Sequence, residues 1–283
     1  MSEEFRSGFV TLLGRPNVGK SSLVNAICGR KISIVSNKPQ TTRHRIMGVV
    51  NRPDAQLVFV DTPGLHKPVS ALGKRVNATA LESAADVDLH CLVLDATKPF
   101  GAGDRWVSDH LPLADSIVIV NKIDIARPDQ VAAMLSAASE LNAAAYHPVS
   151  ARTGDGIAAL TDDLISRLAP GPAFFDEDQF TDMPSEQFIA ELVREQLLAV
   201  TRDELPYSIA TRVAEWEWPR VRVDIIVERE SQKGMVIGKG GRILKEVGSR
   251  ARKEMPEGIY LELRVKVDKD WQRHPDRVER LGY

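Results

Sequence analysis

The chain has 283 residues, 43% hydrophobic and 27% charged, enough for one large domain or two ordinary ones with an ample core. Its net charge of −2 points to no partner by itself, and no apolar run approaches the length of a membrane span. Met1-Ser2-Glu3-Glu4-Phe5-Arg6 has acids and no apolar core, unlike a signal peptide. Cys28 and Cys91 fall in apolar stretches and read as buried free thiols in a reducing, cytoplasmic setting. The six histidines show no metal-ligand spacing with the cysteines, so no zinc site is expected.

In chain order, Phe9–Leu13 reads as a short buried strand and Ser22–Ile27 as a helix stopped by Gly29. Between them Gly14-Arg15-Pro16-Asn17-Val18-Gly19-Lys20-Ser21 fits the phosphate-loop pattern G-x-x-x-x-G-K-S/T. In such a turn backbone N–H groups converge on phosphate oxygens, and the helix N-terminus adds partial positive charge. Lys20 would reach the β- and γ-phosphates and Ser21 would ligate Mg²⁺. The polar run Lys38-Pro39-Gln40-Thr41-Thr42-Arg43-His44 is a loop, where a threonine hydroxyl would complete the Mg²⁺ shell.

Ile46–Val50, Leu57–Val60, His90–Leu94 and Ile117–Val120 are strand-like and almost continuously apolar, as strands covered on both faces are. Val131–Leu141 and Gly156–Leu168 carry helical spacing. The alternation predicts an α/β fold, a mostly parallel sheet with helices on both faces and ligands at the carboxyl ends of its strands. Asp61-Thr62-Pro63-Gly64 follows the second of those strands. Its carboxylate would hold a water of the Mg²⁺ shell, and Gly64 would bring an N–H to a γ-phosphate. Asn121-Lys122-Ile123-Asp124 follows Ile117–Val120. Guanine presents N1–H and an exocyclic amine side by side, and the Asp124 carboxylate accepts both, whereas adenine would leave it desolvated and unpaired. Asn121 would buttress the loop, and the Lys122 stem would cover the base plane. Ser150-Ala151-Arg152, after Tyr146–Val149, would offer an N–H to guanine O6. Taken singly, most of these segments also read as ordinary turns.

Ala169-Pro170-Gly171-Pro172 breaks the pattern, and the acidic, aromatic stretch after it reads as a linker over 170–184 in which Phe174, Phe175 and Phe180 pack on a domain surface. A helix opens near Ser185, capped by Ser185 or Asp182, and runs to about Arg202. Tyr207–Trp218 and Val221–Val227 alternate as half-buried antiparallel strands around a turn at Trp218-Pro219-Arg220, with Trp216 and Trp218 read as core or interdomain contacts. Gly238-Lys239-Gly240-Gly241 precedes a helix from Arg242 to about Glu254, and Tyr260–Val267 is a third strand. Trp271 is expected to pack a terminal helix on the core. Arg220–Glu254 holds ten Lys/Arg and five Asp/Glu, a local positive excess in a chain that is nearly neutral. A G-x-x-G turn lets a nucleic-acid backbone come close, Lys239 adds charge, and Val236, Ile237 and Ile243 would line a groove for unstacked bases. Lys233, Arg242 and Lys245 complete the candidate RNA-binding set with Gly238, Gly240 and Gly241.

The order and spacing of the first-half segments resemble the guanine-nucleotide-binding domain of P-loop GTPases, here residues 1–169. By that resemblance, Gly14 through Ser22, Asp61, Thr62, Pro63, Gly64, Leu65, Asn121, Lys122, Asp124, Ser150, Ala151 and Arg152 contact the nucleotide. Ser21, Thr42 and Asp61 form the Mg²⁺ set. Thr42 is assigned by analogy with TTR-type switches, Thr41 being the alternative. Lys20, Thr42, Gly64 and Asn17 would act on the reacting phosphate. Leu65 stands where Ras-like enzymes carry a water-orienting glutamine, implying slow intrinsic hydrolysis. Asn17 resembles the asparagine that helps related GTPases hold K⁺.

Residues 185–283 resemble a type II K homology (KH) domain. GRPNVGKSSL, QTTRHR, VDTPGLH, NKID, ERESQKGMVIGKGG and YLELRVKVDKDW together are similar to the Era family of bacterial GTPases. That resemblance implies GTP hydrolysis, binding to the 3′ region of 16S rRNA, assistance to small (30S) ribosomal subunit assembly, a monomer, and peripheral association with the inner membrane face. GTP and Mg²⁺ would order Gln40–His44 and Gly64–Ser70, and hydrolysis would release them. The alternatives are another translational or tRNA-modifying GTPase with an accessory RNA module, and an RNA-binding protein with a dead nucleotide site.

Overall fold

The computed structural model describes residues 4–38, 41–61, 72, 87–202 and 204–281. The chain divides into two compact units, the first built from residues up to 182 and the second from 183 onward. Ile34–Thr41 groups with the second unit.

The first unit is built on a six-stranded sheet of order β2-β3-β1-β4-β5-β6. Its strands are β1 (Arg6–Leu13), β2 (Ile46–Asn51), β3 (Ala55–Asp61), β4 (Leu89–Asp95), β5 (Ile117–Asn121) and β6 (Ala145–Pro148). All neighbours run parallel except β2, which is antiparallel to β3. Each β3 residue is buried, the pattern of a strand covered on both faces. β1 begins three residues before the apolar run because Arg6, Ser7 and Gly8 pair with Ala55, Gln56 and Leu57.

Helix α1 (Lys20–Cys28) ends at Gly29, which takes φ 66° and closes the last turn on the Ala26 carbonyl. α2 is Ala102–Ser108, α3 Pro128–Ser139 and α4 Ile157–Arg167. α3 starts earlier than its apolar spacing suggests. Pro128 occupies the first helical position, and Gln130 Oε1 accepts from Arg127 N (2.9 Å). Leu13, Leu92, Leu94, Val118, Val120, Met134 and Ala138 pack into one core cluster against this sheet. Both thiols are free; Cys91 is buried and Cys28 half-buried.

Residues 170–182 run along the sheet edge. Val49 N donates to Phe180 O (2.9 Å), and Met47 N to Asp182 Oδ1 (2.8 Å). Gln56 Oε1 accepts from Phe174 N (2.7 Å) and Phe175 N (3.0 Å). Phe174 packs against Phe9 with ring centroids 4.8 Å apart, and the Arg30 guanidinium lies 3.3 Å over the Phe180 ring. The open edge of β2 is thereby covered, which blocks edge-to-edge pairing.

The second unit has a three-stranded sheet, β7 (Ala210–Glu217), β8 (Arg220–Val227) and β9 (Tyr260–Val267), in that order. β7 and β8 are antiparallel, β8 and β9 parallel. A parallel neighbour needs a crossover, supplied by α7 (Glu230–Ile237) and α8 (Arg242–Arg252) after α5 (Ser185–Val200) and the one-turn α6 (Leu205–Ser208). α7 escapes the sequence reading because Gly234 lies within it and its apolar residues form no stripe. Pro184, not Ser185 or Asp182, is the N-cap of α5; the Asp182 carboxylate is taken by Met47 N.

Three charged residues of α5 are buried. Arg194 Nε donates to Glu191 Oε1 (2.7 Å), and its Nη2 reaches both Glu191 Oε2 (2.6 Å) and the Thr41 carbonyl. Glu195 Oε1 accepts from Val35 N (2.8 Å). Trp271 is fully buried and its indole N–H meets Ser208 O (3.0 Å), as the sequence leads one to expect. Trp216 and Trp218 are not core residues. They are 37% and 61% exposed, at the end of β7 and in the turn, where the hairpin outruns the buried part of its sheet.

Candidate functional site

The Gly14–Ser21 turn links the end of β1 to α1. Gly19 has φ 101°, and a Cβ on it would fall 2.3 Å from Asn121 Nδ2, so only glycine fits. Asn121 Nδ2 donates to Val18 O (2.9 Å), and its Oδ1 accepts from Ala151 N (3.1 Å). One buried amide thus spaces the phosphate loop, the β5 tip and the Ser150–Arg152 loop. Lys122, at φ 69°, donates its amine to Asn17 O (2.5 Å) and Asp95 Oδ2 (2.6 Å). Burial works against the charge of Asp95, but hydrogen bonds from Lys122 and Thr97 prevail and hold its carboxyl below the usual range. The Arg15 side chain is turned onto Asp104: its Nε donates to Oδ1 (2.7 Å), while Asp104 Oδ2 accepts from Gly101 N (3.0 Å). Arg15 braces the loop against the start of α2 through that guanidinium.

Lys20 is 7% exposed and donates to the carbonyls of Gly14 (3.1 Å) and Arg15 (3.3 Å). Burial brings its pKa down to about 8 against the opposing attraction of Asp61. Asp61 has no exposed surface, and among the described residues neither carboxylate oxygen accepts a hydrogen bond of normal geometry. Burial raises its pKa; the Ser33 and Ser21 hydroxyls and the Lys20 charge oppose that rise without closing such a bond. Ser21 Oγ and Thr42 Oγ1 lie 2.8 Å apart, whereas Thr41 Oγ1 donates to Lys38 O (2.7 Å). An orphaned buried carboxylate and two hydroxyls make an all-oxygen set of the kind Mg²⁺ takes. Asn25 of α1 fixes the chain leading to Thr42, accepting from Ile32 N (2.8 Å) and Ser33 N (2.9 Å) and donating to Ser33 O (2.8 Å). Thr62, Pro63, Gly64, Leu65 and the rest of Gly64–Ser70, with Gln40, lie outside the described residues.

At the other end, Asp124 Oδ1 accepts from Ser150 Oγ (2.7 Å) and Oδ2 lies 2.6 Å from Arg152 Nη2. Asp95, Asp104 and Asn25 went unnamed in the sequence. Asp95 carried a usable signal, since like Asp61 it ends a parallel strand, and it is paired in register with Asn121.

In the second unit, Gly238, Gly240 and Gly241 have φ of 72°, 61° and 75°, so the loop between α7 and α8 has three left-handed positions. Gly240 faces open space, whereas a Cβ at Gly238 would lie 2.7 Å from Ile243 Cγ1. Lys239, Arg242 and Lys245 are exposed around the loop, and Ile237 and Ile243 are half-buried. Lys233 Nζ stands 3.9 Å from Glu230 Oε2. Val236 does not line a groove: it has no exposed surface and belongs to the core, while its neighbour Met235 is 56% exposed.

Residues 9–122 match the model of the 50S ribosome-binding GTPase family, and residues 204–272 that of the KH domain. GTPase Era of Mycobacterium sp. (strain JLS) is 48% identical over 297 residues, covering 99% of each chain. GTPase Era of Mycolicibacterium smegmatis is 47% identical with the same coverage. The chain belongs to the Era family of GTPases. An Aquifex aeolicus Era variant bound to GDP·AlF₄⁻ has a TM-score of 0.93 at 36% identity, covering 99% of each chain. Era in complex with MgGDPNP and nucleotides 1506–1542 of 16S ribosomal RNA gives 0.93 at 37% identity over the same share. This Era-family chain is accordingly a GTP-hydrolysing enzyme with a P-loop domain and a smaller C-terminal KH domain. Full-length identity to Era GTPases decides against a tRNA-modifying GTPase or a dead nucleotide site.

Proposed function

We propose that the chain is a GTP-driven switch that binds the 3′ region of 16S rRNA through its KH loop and assists assembly of the small ribosomal subunit. The observation that carries the RNA assignment is the glycine loop itself. Gly238, Gly240 and Gly241 all take positive φ, Gly240 has nothing among the described residues within reach of a Cβ, and Lys239, Arg242 and Lys245 stand exposed around it. A phosphodiester backbone can therefore approach the main chain while cations neutralise it.

On the nucleotide side, Ser21, Thr42 and Asp61 would hold Mg²⁺, which would supply positive charge to the phosphates when bound. Lys20 supplies the remaining cation at the phosphates, and Asp124 reads guanine. Asn17 sits at φ 67°, with its carbonyl tied to Lys122, and is the residue assigned to K⁺. Turnover in K⁺ then exceeds turnover in Na⁺ at equal ionic strength, and equal rates remove the assignment. The proposal includes a monomer of the cytoplasm touching the inner membrane face peripherally; among the described residues no helix is long and apolar enough to cross a membrane.

The RNA assignment is tested with an oligonucleotide of the 16S 3′ region and the full chain. Lys239→Glu and Gly240→Asp weaken binding by roughly 1–3 kcal/mol and leave steady-state GTPase activity within twofold. Gly238→Asp is a poorer probe than the open Gly240, because its side chain would collide with Ile243. Unchanged RNA affinity in both variants would overturn the assignment.

A further inference from the structure

The Asp124 carboxylate has two covers of opposite kind. Behind it, Ser150 is fully buried and gives its hydroxyl to Oδ1 at 2.7 Å. In front, Arg152 is 71% exposed along its side chain and brings Nη2 within 2.6 Å of Oδ2, leaving Asp124 only 7% exposed. Solvent-side approach to the carboxylate thus runs through a guanidinium. Guanidinium and the guanine edge are chemically alike toward a carboxylate: each is planar and offers adjacent N–H donors to its two oxygens. Ser150 can stay in place when a base arrives, since it uses Oδ1 from the buried side. Arg152 cannot keep its contact and leave the same edge of Oδ2 to the base.

We propose that Arg152 is a built-in competitor for the guanine seat, an internal mimic of the base that must swing outward before Asp124 can read the nucleotide. This rests on the assignment of Asp124 to the base. The exposure of Arg152 makes the swing possible without disturbing the core. The competent fraction of the protein, and with it the observed association rate and affinity, is scaled down by the time Arg152 spends on Asp124. The resemblance places Arg152 among the nucleotide contacts; on this account it is instead a positioning residue that sets how readily nucleotide enters and makes no contact that strengthens its hold.

Stopped-flow binding of a fluorescent GDP to the full chain tests it. Arg152→Ala should raise the association rate constant about two- to fivefold and leave dissociation within twofold, so that affinity tightens by the same factor. Arg152→Lys should fall between. Added salt should narrow the gap between wild type and Arg152→Ala, because it screens the ion pair they differ in. Association by Arg152→Ala equal to or slower than wild type overturns the proposal. Asp124→Asn, assayed with xanthosine and guanosine diphosphates, separates the two failures. If Asp124→Asn keeps its preference for guanine, the base assignment falls and the competitor with it. If it switches to xanthine while Arg152→Ala gains nothing, only the competitor falls.

Discussion

Lys122 shows how little of a functional residue's work is visible in its motif. The sequence suggests an aliphatic stem over a base; the structure adds an amine that ties the Asn17 carbonyl to Asp95. Its partner lies 27 residues away, and Asp104 lies 89 from Arg15, so neither pairing leaves a mark in a local pattern. Asp61, Asn121, Asp124 and Ser150 could be singled out because each sits in a short motif at or just beyond the end of a strand. The Asp95 carboxyl is held below its ordinary range in the folded state, so it contributes stability that is complete above the unfolded carboxylate pKa and is lost as pH falls through the folded value. Asp95→Asn should therefore lower thermal stability by an amount constant near neutrality and shrinking on the acid side. It should also weaken GDP binding by roughly 1 kcal/mol, through loss of the Lys122 anchor. Melting curves from pH 3 to pH 8, with GDP titrations at neutral pH, check both.

At the scale of elements, strands were read more accurately than helix ends. The central strands β3, β4 and β5 of the first unit are almost wholly buried and announce themselves as apolar runs, whereas helix termini are set by caps such as Pro128 with Gln130 and by Pro184. α5 is the helix whose burial sequence could not foretell. Glu191, Arg194 and Glu195 are all under 10% exposed, contrary to the usual place of charge. Their hydrogen bonds to each other and to the backbone of Val35 and Thr41 account for it. Breaking a buried ion pair by removing one member is strongly destabilising, whereas replacing both by apolar groups is far less so. Arg194→Met alone should cost about 3–5 kcal/mol in urea unfolding, and Glu191→Leu with Arg194→Met should recover most of that loss. A double variant as unstable as the single one would show that the contact to Thr41, rather than the broken ion pair, sets the cost.

For the whole molecule, the near-zero net charge conceals a division of labour. The chain as a whole is nearly balanced, yet Arg220–Glu254 of the second unit holds ten Lys/Arg against five Asp/Glu. Both fold classes were legible, because a phosphate loop after a strand and a G-x-x-G turn before a basic helix are each local. α7 and the crossover that makes β9 parallel were not, since pairing direction is a tertiary property. A switch needs a differential: GTP can favour RNA binding only if the RNA-competent state holds GTP more tightly, and the effect must be mutual. The decisive measurement is the affinity of the full chain for the 16S 3′-region oligonucleotide, loaded with Mg²⁺ and either GDP or a non-hydrolysable GTP analogue. The account predicts binding at least about fivefold tighter with the analogue, and an equal RNA-induced gain in preference for the analogue over GDP. Identical RNA affinity in the two nucleotide states would contradict it.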